Sequence, residues 1–183
     1  MEKSKMSESN PYKLLQLVWG DCNRSPIFSW ERLNSSMHTA ALLAIDSGMW
    51  FDLDDFNKIA VTFRMGYWAN VESLYAQAVK SNNMSACHAL ENTMNRKPFI
   101  AKFPINSTDQ GKGRRAYRKE GRLALGSSFI WDGNRVEITS FAKDGESFIA
   151  CGYYNKADHV RLKRYRITRR DLHKLPSSKE ETG

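Results

Sequence analysis

A chain of 183 residues with 41% apolar and 26% charged residues can fold around real cores, which excludes a disordered polymer and suits one domain or two small ones. No apolar run approaches the roughly 20 residues that a membrane-spanning helix needs, and Met1 to Asn10 is polar with mixed charge, unlike a secretion signal. The net charge of +8 is segregated: residues 1–95 hold 8 Lys+Arg against 10 Asp+Glu, and residues 96–183 hold 20 against 10, so a polyanionic partner is expected at the basic half.

Residues 1–103 are expected to form a small helical bundle. Asn10-Pro11 supplies a capping side chain followed by the residue that fits the first helical position. Leu14, Leu15, Val18 and Trp19 then share a face, and Gly20 can end the helix. Asn34 is the expected cap of a second helix, in which Met37, Ala40, Ala41, Ala44 and Ile45 form a broad stripe suited to a central position. Asp52 is expected to cap a third helix with Phe56, Ile59, Ala60 and Phe63 on one face, closed by Gly66. Asn70 is expected to cap a fourth through Val71, Leu74, Tyr75, Ala78 and Val79, and Ser85 a fifth with Cys87, Leu90 and Met94 inward.

The break between the third and fourth helices is longer than the usual helix-turn-helix connection, and the fourth helix offers few long polar side chains. On the fifth helix, Asn92, Asn95, Arg96 and Lys97 are candidate groove contacts, because asparagine can pair bidentately with adenine and arginine with guanine. Their ordinary reading is an exposed face ending in cations that suit the helix dipole. Trp50, Phe51, Tyr67 and Trp68 lie near expected helix ends, most as core and some as a homodimer contact.

From 104 to 122 the apolar pattern stops, which marks a basic linker. Residues 123–175 then show short β-rich runs separated by turn signals: Ser127–Trp131, Arg135–Ala142, Glu146–Tyr154 and Val160–Thr168. Asp132-Gly133 and Asp144-Gly145 both suit two-residue hairpins. About 50 residues of this pattern are few for a two-sheet sandwich, so the expected α+β fold ends in a small antiparallel β-barrel of SH3-like or Tudor-like size. Strict alternation in the last run leaves Tyr165 and Ile167 on the face of Arg161 and Lys163, so a bulge or a solvated stretch is expected near its start. Residues 176–183 read as a frayed tail.

Two clusters carry the charge: Lys112, Arg114, Arg115, Arg118, Lys119 and Arg122 in the linker, and Arg161, Lys163, Arg164, Arg166, Arg169 and Arg170 at the end of the β region, with Tyr165 among the latter. Arginine predominates, and its planar fork grips phosphate or guanine where a lipid surface needs only point charges. Nucleic acid therefore ranks above membrane, and double-stranded DNA above RNA.

No catalytic constellation stands out. His38, His88, His159 and His173 form no HExxH, and no GxxxxGK[ST], GxGxxG or GxSxG occurs. Cys22, Cys87 and Cys151 are widely spaced, the pattern of reduced thiols in a cytoplasmic protein rather than a disulfide framework or metal site. The expectation is a non-enzymatic DNA-binding regulator of phage or plasmid type, without metal or cofactor. An RNA- or single-strand-binding protein that stacks bases on Trp131, Tyr153, Tyr154 or Tyr165 is the alternative, followed by an inhibitor or adaptor that binds an acidic protein surface.

Overall fold

The computed structural model describes residues 10–104, 118–157 and 159–173, and among these it has seven helices and six strands. The chain divides into a helical unit, Met1–Arg96, and a mainly β unit, Lys97–Gly183. The division therefore falls before the segment 97–103 that the sequence pattern groups with the helices.

In the helical unit, α1 (Pro11–Arg24) starts where Asn10 Oδ1 accepts the Tyr12 N–H at 2.8 Å. It runs past Gly20 to Arg24, whose Nε donates to the Gly20 carbonyl at 3.2 Å. A glycine inside a helix costs only about 1 kcal/mol, less than the continued hydrogen-bond ladder returns. The second helix, α2 (Trp30–Asp46), is capped by Ser29 rather than Asn34, with Ser29 Oγ accepting from the Arg32 N–H. The earlier start adds buried Leu33 to the expected stripe of Met37, Ala40, Ala41, Ala44 and Ile45.

Asp52 caps α3 (Leu53–Thr62) as its position implies, but this helix stops before Gly66. Arg64 turns left-handed at φ 48°, and a short α4 (Met65–Trp68) fills the break. Asn70 caps α5 (Val71–Lys80). The sixth helix, α6 (Met84–Met94), is capped by Asn83, not Ser85, and ends at left-handed Asn95. Helix α2 packs against α1, α4 and α5, the central place its broad apolar stripe demands.

Asn83 ties these elements together. Its amide nitrogen donates to the carbonyls of Ile45 at 3.1 Å and Met49 at 3.0 Å, while its oxygen accepts from the Ala86 N–H and the Ser85 hydroxyl. Ser85 Oγ in turn accepts the buried N–H of Phe51. An Asn83→Ala substitution removes the cap and strands these groups in a dry site, so thermal melting should report a loss of about 2–4 kcal/mol. An unchanged melting temperature would contradict this network.

In the second unit, β1 (Ile100–Pro104) pairs antiparallel with β2 (Arg118–Arg122), so the end of the expected linker is a strand. The remaining strands are β3 (Ser128–Trp131), β4 (Asn134–Phe141), β5 (Ser147–Lys156) and β6 (His159–Thr168), a meander in the order β3-β4-β5-β6. A short α7 (Arg169–His173) follows. Phe99, Ala101 and Leu123 join Phe129, Val136, Ile138, Phe148, Ala150 and Ile167 in one core.

No closed barrel is found among the described residues. Among the described residues the β1-β2 pair and the four-stranded meander are separate sheets, which leaves β3 and β6 as edges of the meander. Residues 159–164 of β6 are exposed, and a row of solvated cations there opposes pairing with another strand. Of the two expected alternatives, a bulge or a solvated stretch near the start of β6, the solvated stretch is the one found. The β5-β6 register is continuous, and the shift occurs in β4 between Ile138 and Ser140.

The first Asp-Gly pair forms the expected two-residue turn, with φ 50° at Asp132 and 75° at Gly133, both left-handed as a type I′ turn requires. The second does not. Only Gly145 is left-handed there, and the loop is wider, closed by the Ala142 N–H donating to Ser147 and the Gly145 N–H donating to Ala142. Asp144 instead turns its carboxylate onto the Glu146 N–H at 2.9 Å, a local bond that competes with the tight turn. None of the described helices is long and apolar enough to cross a membrane.

Candidate nucleic-acid interface

The last strand and the short helix after it carry six cations, and the fold treats them differently. Register places Tyr154, Lys163 and Arg161 on the side of the sheet that continues from the core, through the pairs Ala150 with Tyr165, Gly152 with Lys163 and Tyr154 with Arg161. Arg164 and Arg166 lie on the opposite side, across from Cys151 and Ile149.

Arg161, Arg164 and Arg170 are exposed and have no carboxylate partner among the described residues. Lys163 lies 3.8 Å from Asp132, and Arg166 lies 3.4 Å from Asp144, with all four side chains well exposed. Exposed pairs of this kind contribute about 0–1 kcal/mol, so a phosphate can replace the carboxylate at little cost. Tyr165 is half-buried against the core, its ring covered by the Lys163 ammonium at 5.0 Å and its hydroxyl accepting from Asn134.

Arg169 is committed to the fold. Its guanidinium donates to the carbonyls of Lys97, Pro98 and Gly145, lies 3.4 Å from Glu146 and stacks 3.8 Å from the Phe99 ring centroid. Four of its five N–H groups are engaged by these carbonyls, which ties it to the fold. Arg96, a candidate groove contact in sequence, is likewise occupied: its side chain is 7% exposed, forks onto both oxygens of Glu72 and lies over the Tyr75 ring. Asn92, Asn95 and Lys97 are exposed, although Asn95 holds the left-handed end of α6.

Arg118, Lys119 and Arg122 lie in β2, where their Cα partners are Pro104, Phe103 and Ile100. Lys112, Arg114 and Arg115 lie outside the described residues, as does the tail 176–183. Sequence reading passed over Arg135, an exposed cation on the same side of the sheet as Arg164. Its signal was the alternation with buried Val136 and Ile138. Glu137 shares that face two strands from Arg164, about 10 Å away by strand spacing.

Asp144 connects the site to acid stability. The Glu146 N–H, the Ser147 N–H and hydroxyl, and the nearby Arg166 charge hold its carboxyl below the usual carboxylate range, against an opposing effect of burial. A carboxyl depressed by folding contributes fully above its unfolded pKa and loses that contribution as pH falls through the folded value. Asp144→Asn should therefore flatten the acid limb of a melting-temperature profile. A limb identical to the parent's would show that this carboxylate carries no linkage.

Comparison with protein-family models, with curated proteins and with solved structures finds no match to this chain. Among the described residues no three His, Cys, Asp or Glu side chains converge as a ligand set for a metal ion. The arrangement is several cations on an edge strand, half of them without a carboxylate partner among the described residues, with exposed Tyr153 on the neighbouring strand, a chemistry suited to a polyanion.

Of the four aromatic residues expected to be mostly core, two are buried and two exposed. Phe51 and Trp68 are buried, and Trp68 Nε1 donates to the Phe63 carbonyl, whereas Trp50 is 68% and Tyr67 81% exposed.

Proposed function

We propose that this is a non-enzymatic, cytoplasmic protein that binds double-stranded DNA through its basic β unit, a transcriptional regulator of the type encoded by phages or plasmids. The observation that carries the reading is the exposed set Arg161, Arg164 and Arg170, without a carboxylate partner among the described residues, on and beside an edge strand. Lys163 and Arg166, held only by exposed ion pairs, extend it. Arginine on a free edge supplies phosphate contacts that set position, and leaves base edges to neighbouring side chains. The protein acts as a homodimer in this reading, with Trp50 and Tyr67 as contact residues supported by their exposure.

A second reading, binding of RNA or unpaired DNA, draws on Tyr153. Its ring is 72% exposed, and an open tyrosine among cations suits base stacking. Binding to duplex DNA, single-stranded DNA and structured RNA at two salt concentrations separates the two. The first reading expects a duplex preference that survives nonspecific competitor. Preference for unpaired strands would transfer support to the second, and no binding even at low salt would leave an acidic protein surface as the partner.

A further inference from the structure

The two ladders of β5 end at different places. Pairing of β4 with β5 stops at Val136 with Gly152, whereas pairing of β5 with β6 continues through Lys156 with His159. Residues 153–156 and 159–162 thus pair only with each other among the described residues. At about 3.3 Å per residue the overhang is roughly 13 Å long. A two-stranded ribbon therefore extends past the sheet.

Its two faces differ in chemistry. Register puts Tyr153 opposite Leu162, and Val160 follows Leu162 on the same face. These side chains are 72%, 55% and 67% exposed, an apolar row at the extremity of a basic unit. The other face carries Tyr154, Arg161 and His159, and Arg164 stands at the base of the apolar row. Scattered apolar exposure is ordinary, but three consecutive positions on one face of a projecting ribbon suggest that something covers them.

Resting on the duplex-DNA reading above, we infer that this ribbon enters the major groove of DNA, with Tyr153, Val160 and Leu162 against base edges and Arg161 and Arg164 on the flanking phosphates. Width decides the groove. A major groove about 12 Å wide and 8.5 Å deep admits a two-stranded ribbon, and a minor groove about 6 Å wide does not without deformation of the duplex. Apolar side chains find a partner in the major groove, where the thymine methyl projects. Laid flat along the groove, the ribbon turns its Tyr153, Val160 and Leu162 face to the base edges, while the sheet from which it leaves stays among the phosphates.

The test uses the full-length protein and a mixed-sequence duplex, either untreated or methylated beforehand at guanine N7, which lines the major groove. Methylation should weaken binding on the order of tenfold, whereas a minor-groove ligand such as netropsin should compete weakly. A Tyr153→Ala/Leu162→Ala variant should keep the parent's salt dependence but select less defined sequences from a random pool. Binding that ignores N7 methylation and is displaced by netropsin would overturn the groove assignment while leaving DNA binding intact. An absence of duplex binding would remove the underlying reading as well, so the two failures are distinguishable.

Discussion

Arg169→Ala should lower the melting temperature of the β unit by about 10–20 °C. The residue sits where β6 passes into α7 and fastens three separate carbonyls, those of Lys97, Pro98 and Gly145. Its ion pair with Glu146 is a minor contributor, because that carboxylate is 69% exposed. The stacked contact with Phe99 matters more, since Phe99 is 2% exposed and belongs to the core. Losing these bonds and the cover over the ring together costs about 2–4 kcal/mol. Arg169→Lys should recover little of this, because an ammonium cannot reproduce the planar fork. Arg164→Ala supplies the contrast: no described contact is lost, and the melting temperature should stay within about 2 °C of the parent. Equal melting temperatures for the Arg169→Ala and Arg164→Ala proteins would contradict the division of the basic residues into structural and available sets.

Gly152→Ala is expected to destabilise the same unit by about 1–3 kcal/mol. A Cβ at this position would lie 2.9 Å from the Arg135 carbonyl oxygen and 2.9 Å from Val136 Cγ1. The first of these is backbone, which cannot swing aside as the end of a flexible side chain can. Gly152 is the last β5 residue paired with β4, so the strain falls at the point where the ribbon leaves the sheet. The expected result is a lower denaturant midpoint with reduced amide protection along β4. Full parental stability would mean that β4 does not approach β5 so closely.

Three of the helix starts and one hairpin turn of this fold were legible because their signals are local. Asn10, Asp52 and Asn70 announce helix starts within one turn, and Asp132-Gly133 specifies its hairpin in two residues. The strand pair β1 and β2 was not legible. Arg118–Arg122 is wholly polar with a glycine inside, and its partner Ile100–Pro104 ends in proline, so neither shows a two-residue period. What makes them strands is each other, across a long separation in sequence. The site divides in the same way. The excess of charge could be read from composition, but the engagement of Arg169 by Lys97 and Pro98, or of Arg96 by Glu72, is a tertiary event that no local pattern encodes.

The claim that the remaining cations hold DNA is tested most directly by the salt dependence of duplex binding for an Arg161→Ala/Arg164→Ala/Arg170→Ala protein beside the parent. Each phosphate contact contributes about 0.9 to the slope of log affinity against log salt, so the slope should become shallower by about 2–3. The melting temperature should not move. A slope equal to the parent's, in a variant that folds normally, would contradict the assignment of these three arginines to the phosphate backbone.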